Sequence, residues 1–208
     1  MIYLNEDIET LDVRTVLAAV SEQRRQKVLQ FRQIHDQRQS LAVYLLLWEA
    51  LEKEYGIIEQ PEFSYGAHGK PFLANHPDIH FNFSHCHHAV LCVVDKVPVG
   101  CDIETVPDHL DIELCHYCFN NEETNFILSS PNPTIAFTVL WTSKEALLKM
   151  SGDGLTNDLP NVLESPKARK ACFDTHFASD NSYVYTICKM NHPWNLPVKF
   201  NNVKYVNF

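Results

Sequence analysis

Apolar residues recur at spacings of three and four across residues 36–55, where Leu41, Leu45, Trp48, Leu51 and Tyr55 form one stripe and Gly56 follows. This predicts an amphipathic helix with a glycine stop, its stripe turned to the core. Residues 62–65 and 72–73 are brief extended candidates punctuated by Gly66, Gly69 and Pro71. Three strands are then predicted over 79–84, 89–95 and 97–104, rich in β-branched and aromatic residues and separated by polar or Pro-containing breaks. Helical spacing returns after Pro107. Asn120 and Glu123 spell a capping box. Over 134–150, Ala136, Leu140, Leu147 and Met150 share one helix face, which the two glycines of SGDG (151–154) bring to an end. The tail gives strand candidates near 171–178, 183–189 and 198–206.

Helix, strands, helix, strands is the order of an α+β chain in two comparable halves, 1–100 and 101–208. No internal sequence repeat is strong enough to establish duplication, and there is no low-complexity segment.

Composition keeps this picture within ordinary globular usage: of 208 residues, 45% are hydrophobic and 21% charged. The first twenty residues are acidic near the start and have no uninterrupted apolar core, so neither a signal peptide nor a membrane span is expected and a cytoplasmic setting is. Seven cysteines, several of them (Cys92, Cys101, Cys188) in apolar runs, argue against a disulfide framework. A net charge of −9 argues against nucleic-acid partners. The charge is uneven, however. Over 21–39, Arg24, Arg25, Lys27, Arg32 and Arg38 face only Glu22 and Asp36, a local excess of +3 that suits an anion site or a merely solvated helix face.

Candidate chemistry concentrates in two stretches. In VGCDIE (99–104) a strand's period of two puts Asp102 and Glu104 on one face, with Cys101 and Ile103 turned to the core. Paired carboxylates there either bind a hard divalent cation such as Mg²⁺ or form a polar strand edge. Gly100, on the carboxylate face, would let a ligand approach the backbone. In WTSKEALLKMSGDGL (141–155), helical spacing stacks Trp141, Glu145 and Lys149 on one face, away from the Leu140, Leu147, Met150 stripe. That arrangement is either an exposed i,i+4 ion pair or a carboxylate and an ammonium turned together to a site.

These stretches, with GKP (69–71) and FNFSH (81–85), match one family in order and spacing over about residues 24–155. The chain resembles the Sfp-type 4′-phosphopantetheinyl transferases. The resemblance implies two similar α+β halves related by a pseudo-twofold, with the active site between them. It also implies Mg²⁺-dependent transfer of the phosphopantetheine arm of coenzyme A to a serine of an acyl or peptidyl carrier protein, releasing adenosine 3′,5′-bisphosphate. By that resemblance the metal ligands are Asp102, Glu104 and Glu145, the catalytic residues are Glu145 and Lys149, and Lys144, Lys149 and Asp102 also meet coenzyme A. The nucleotide side falls to Arg24, Lys27, Arg38, Lys70, Pro71, Ser84 and His85. Cys86 and Cys101 depart from the family's usual residues, the first beside the diphosphate pocket and the second in the core. A monomer without membrane contact is expected.

Two rival readings stand beside this one. A phosphohydrolase would keep the three carboxylates, Asp102, Glu104 and Glu145, with water as nucleophile, and a non-catalytic carrier-binding or coenzyme-A-binding module would not depend on Asp102. Cys115 and Cys118 form a C-x-x-C with no second ligand pair, which fits a helix turn better than zinc. The run His85, Cys86, His87, His88 suggests a metal cluster, but alternation along a strand would split it between faces, leaving His87 and His88 at a turn or rim. Because carriers are acidic like this chain, a small basic or apolar docking patch is expected between Pro107 and Pro133.

Overall fold

The computed structural model describes residues 1–154 and 158–190. The first half runs β1 (Ile2–Asn5), α1 (Val13–Ala19), α2 (Glu22–Leu29), α3 (Ile34–Tyr55), β2 (Phe63–Tyr65), β3 (Pro71–Leu73), β4 (His80–His85) and β5 (Val90–Asp95). The second runs β6 (Val99–Thr105), α4 (Ile112–Cys118), α5 (Asn121–Ser129), α6 (Pro133–Ser151), two short 3₁₀ turns, β7 (Ala171–Phe177) and β8 (Tyr183–Met190). The strand candidate at 198–206 lies outside the described residues.

A repeat that the sequence hides is plain in the topology. β1, β5 and β4 form an antiparallel sheet in the order β1-β5-β4, and β6, β8 and β7 form another in the order β6-β8-β7. Each sheet is a first strand, a long helix and then a hairpin whose last strand sits in the middle. α3 and α6 are the equivalent helices, and both end on a left-handed glycine, Gly56 (φ 69°) and Gly152 (φ 72°). The break between the repeats falls in the 95–99 connection, so a division at residue 100 would cut into β6.

β5 explains its own composition. Its Val90, Cys92 and Val94 pack under α3 with Leu47 and Leu51. Its Leu91 and Val93 pack on the opposite side against Cys101, Ile103 and Ile187 of the second sheet. A strand buried on both faces reads as a continuous apolar run. The predicted single stripe of α3 is likewise incomplete: Leu41 and Tyr44 pack with Val13, Val20 and Val28 of the α1–α2 region, on a second face. α6 covers the second sheet through Ala146, Leu147 and Met150 against Ala171 and Cys188.

The two sheets meet at their edges, β4 and β6. Asn82 Oδ1 accepts from the Cys101 backbone N at 2.9 Å, and Ser84 Oγ donates to Asp102 Oδ1 at 2.9 Å. Lys189 and Asp95 close the other end at 2.6 Å. Side chains of β4 thus supply polar partners that the edge strand β6 lacks on that side.

Candidate active site

Gly100 sets the position of α6. A Cβ there would lie 2.1 Å from Ala146 O and 2.3 Å from Met150 N, so only glycine lets the last turns of α6 sit this close to β6. The backbone approach expected of a ligand is therefore made by a helix. One consequence is that Glu145 and Lys149, on those same turns, are pressed against the carboxylate face of β6.

Lys149 Nζ donates to Asp102 Oδ1 at 2.5 Å and to Ser84 Oγ at 2.9 Å, joining α6, β6 and β4. Asp102 is 2% exposed, and its Oδ2 is buried without a partner. Desolvation acts to lower the Lys149 pKa, but attraction to Asp102 outweighs it and the ammonium is held above its usual range. Burial and the Asp102 charge push Glu104 up to about 7 and raise Glu145 in the same sense. Trp141 Nε1 donates to Glu104 Oε1 at 3.4 Å. The three carboxylates thus sense one another in a partly desolvated corner, with one ammonium among them.

Beside this corner a cleft of about 310 Å³ opens between the halves, lined by Lys70, Pro71, Asn82 and Phe83 from the first and by Glu145, Leu148 and Lys149 from the second. Asn82, Phe83 and Leu148 are cleft residues that the motif reading passed over. Asn82 and Phe83 lie within FNFSH, where alternation separates Phe81 and Phe83, packed toward α3, from Asn82 and Ser84, turned to the junction.

Among the described residues, no group of three His, Cys, Asp or Glu side chains is arranged to hold a metal ion. The donor set nevertheless fits a hard cation that completes its shell with water and substrate phosphate. Asp102 Oδ2 is an orphaned buried oxygen, and mutual repulsion of the carboxylates is what such a cation would relieve.

Comparison with known proteins decides what this junction belongs to. A profile described as "4′-phosphopantetheinyl transferase superfamily" matches residues 98–191, and one described as "4′-phosphopantetheinyl transferase, N-terminal" matches residues 9–97. The chain belongs to the 4′-phosphopantetheinyl transferase superfamily. Among its relatives, a "4′-phosphopantetheinyl transferase" of Bacillus subtilis is 29% identical over 207 aligned residues, covering 92% of this chain and 91% of the relative. "4′-phosphopantetheinyl transferase Sfp" of Bacillus subtilis strain 168 is 26% identical over 206, covering 92% and 91%. "4′-phosphopantetheinyl transferase HetI" of Nostoc is 34% identical over 103 residues, covering 46% of this chain and 44% of the relative.

Within this transferase fold the expected site residues separate. Asp102, Glu104, Glu145, Lys149 and Ser84 come together as described. His85 ends β4 on the exposed rim, where desolvation of the ring and the Lys149 charge hold its imidazole below the usual range. Pro71 lines the cleft, and Lys70 beside it turns its ammonium to Met150 O at 2.8 Å and Val99 O at 3.4 Å, capping the end of α6. Lys27 is exposed on α2. Arg24 donates to Ser40 Oγ at 2.8 Å and lies over the Tyr44 ring at 4.9 Å, while Arg38 pairs with Glu9. Both arginines are committed to partners within the first half.

Lys144 corrects the sequence expectation. It is 0% exposed and its Nζ reaches Glu123 Oε2 (2.6 Å) and the carbonyls of Pro160 (2.7 Å), Cys118 (2.9 Å) and Leu159 (3.1 Å). An ammonium so enclosed has no room for a coenzyme A phosphate. Cys86 is also turned away from any diphosphate pocket: it is buried in the core between the sheets, and its carbonyl accepts from Gln39 Nε2 at 2.6 Å.

Alternation does not govern the histidine run, since β4 stops at His85. His87 and His88 sit in the following turn with ring centroids 5.2 Å apart, and His87 meets His35 of α3 at 5.2 Å. Cys115 and Cys118 lie on α4 and pack with Ile127 and Leu140. No helix among the described residues is long and apolar enough to cross a membrane.

Proposed function

We propose that the chain transfers the 4′-phosphopantetheine arm of coenzyme A to a serine of an acyl or peptidyl carrier protein. One observation carries the reading: Lys149, Asp102 and Ser84 join the two halves at the wall of a cleft that also exposes Glu145, in a chain matched along both halves to transferases of this kind.

Phosphoryl transfer asks a protein for positioning and charge neutralisation. Lys149, kept charged by Asp102, offers an ammonium to the diphosphate from the cleft wall. Glu145, partly exposed in the cleft beside Lys149, is placed to accept the serine proton. The serine oxygen forms a bond to the pantetheine-side phosphorus as the bridging P–O bond breaks, and adenosine 3′,5′-bisphosphate leaves with the bridging electrons. Asp102, Glu104 and Glu145 are the residues that would hold Mg²⁺, drawing closer together than they stand, and the ion would supply neutralisation of phosphate charge.

On the nucleotide side, Lys27, His85 and Pro71 are the available groups. Lys70 would join only by releasing the Met150 and Val99 carbonyls, and Arg24 and Arg38 only by releasing Ser40 and Glu9. For the carrier, the 107–133 segment contains no Lys or Arg, so docking there is apolar rather than basic. Ile112, Leu114 and Tyr117 of α4 and Phe126 and Leu128 of α5 are between 42% and 75% exposed and provide that surface. The working unit in this reading is a cytoplasmic monomer. Incubation with coenzyme A, Mg²⁺ and apo-carrier tests it by mass spectrometry: arm transfer supports the proposal, and carrier-independent hydrolysis of coenzyme A supports a phosphohydrolase instead.

A further inference from the structure

Lys144 adjoins Glu145 in sequence yet points about a hundred degrees away around α6, into a chamber of acceptors. Its ammonium reaches the α4 C-terminus through Cys118 O, α5 through Glu123, and the 3₁₀ turn Leu159–Glu164 through Leu159 O and Pro160 O. The Phe119 ring lies 4.8 Å from the same nitrogen. Glu123 does a second job: its Oε2 also accepts from the Asn120 backbone N at 3.2 Å and so completes the capping box that starts α5. Asn120 in turn donates to Glu164 at 2.8 Å.

Helices of seven and nine residues do not hold themselves in place in water. Their orientation comes from what they are fastened to. The apolar packing of Cys115, Cys118 and Ile127 against Leu140 is non-directional, whereas an ammonium whose three N–H groups are shared among four acceptors ties α4, α5 and the 3₁₀ turn to one point of α6. The fastening point is one residue from Glu145.

We propose that Lys144 is a positioning residue for the carrier protein, clamping the α4–α5 face to the turn of α6 that carries Glu145. The inference rests on the transfer reading and on α4–α5 as the docking face. Lys144 touches no substrate. It acts by fixing where a docked carrier presents its serine relative to Glu145, and a loosened clamp shows itself in carrier recognition before coenzyme A recognition.

The experiment compares wild type with Lys144→Met and with Glu123→Gln, the milder variant, which keeps a hydrogen-bonding side chain and guards against a folding failure of the first. Coenzyme A affinity is read by calorimetry, carrier KM and kcat by arm transfer, and loosening of residues 112–129 by hydrogen exchange. Lys144→Met is expected to raise carrier KM about tenfold and Glu123→Gln about threefold, with coenzyme A affinity within about twofold of wild type. Faster exchange over 112–129, with β6 still protected, accompanies this. Unchanged carrier KM in both folded variants overturns the inference, as does parallel loss of coenzyme A and carrier recognition. If wild type itself binds coenzyme A but modifies no carrier, the transfer reading is what has failed, and the inference falls with it.

Discussion

Lys149 Nζ lies 2.5 Å from Asp102 Oδ1 across the junction of the halves, while Oδ2 of the same carboxylate is buried and unpartnered. One carboxylate therefore meets an ammonium with one oxygen and leaves the other open to the proposed cation. Asp102→Asn preserves shape but removes the charge that serves both. Arm transfer is expected to fall by at least about a hundredfold, as when a preorganised charge is removed from a phosphoryl-transfer site. The circular dichroism spectrum is expected to stay that of wild type.

Gly100→Ala tests the approach of α6 to β6. The new Cβ would meet backbone atoms of Ala146 and Met150 at 2.1 and 2.3 Å, and backbone cannot step aside as a flexible side chain can. A loss of about 1–3 kcal/mol or more in urea unfolding is expected. Transfer activity is expected to drop further than the folded fraction does, because Glu145 and Lys149 move with the helix.

A pH dependence follows from Glu104, raised from 4.5 to about 7 by burial and by the Asp102 charge. A folded-state pKa above the unfolded one means that the native protein holds a proton the unfolded chain releases. The stability this contributes is complete below about 4.5 and is lost as pH rises through about 7. In metal-free protein, the melting temperature of wild type relative to Glu104→Gln is expected to decline across that window. Added Mg²⁺ should shrink the decline by supplying the missing counter-charge. A difference that stays flat from about pH 5 to 8 counts against a desolvated, repelled Glu104.

The docking surface can be probed without touching the core. Tyr117, 75% exposed on α4, tolerates Tyr117→Asp with stability within about 0.5 kcal/mol. Carrier KM is expected to rise and coenzyme A affinity to hold. If Tyr117→Asp and Ile112→Asp both leave carrier KM where it was, the carrier docks elsewhere.

Much of this was legible in the residues. The α+β order, the capping box of Asn120 and Glu123, the glycine stops of α3 and α6, and the shared face of Asp102 and Glu104 follow from periodicity and cap chemistry. What periodicity cannot carry is pairing and direction. Nothing local tells β6 to pair with β8 rather than extend the β4–β5 ladder, and the topological repeat emerges only from that pairing. Trp141, Glu145 and Lys149 were separable from the buried stripe, but Lys144 lies between the two faces, and only the fold supplies Glu123 and three carbonyls to enclose it. Gly100 carried a signal of close approach without saying what approaches. Arg24 and Arg38 looked available because Ser40 and Glu9, their partners, are distant in sequence.

The most direct test of the account is mass spectrometry of an apo-carrier incubated with coenzyme A and Mg²⁺ and either wild type or folded Asp102→Asn. The account predicts that wild type adds the phosphopantetheine arm to the carrier serine with matching release of adenosine 3′,5′-bisphosphate, and that Asp102→Asn does so barely or not at all. Equal modification by both proteins, or release of the bisphosphate without modification of the carrier, would contradict it.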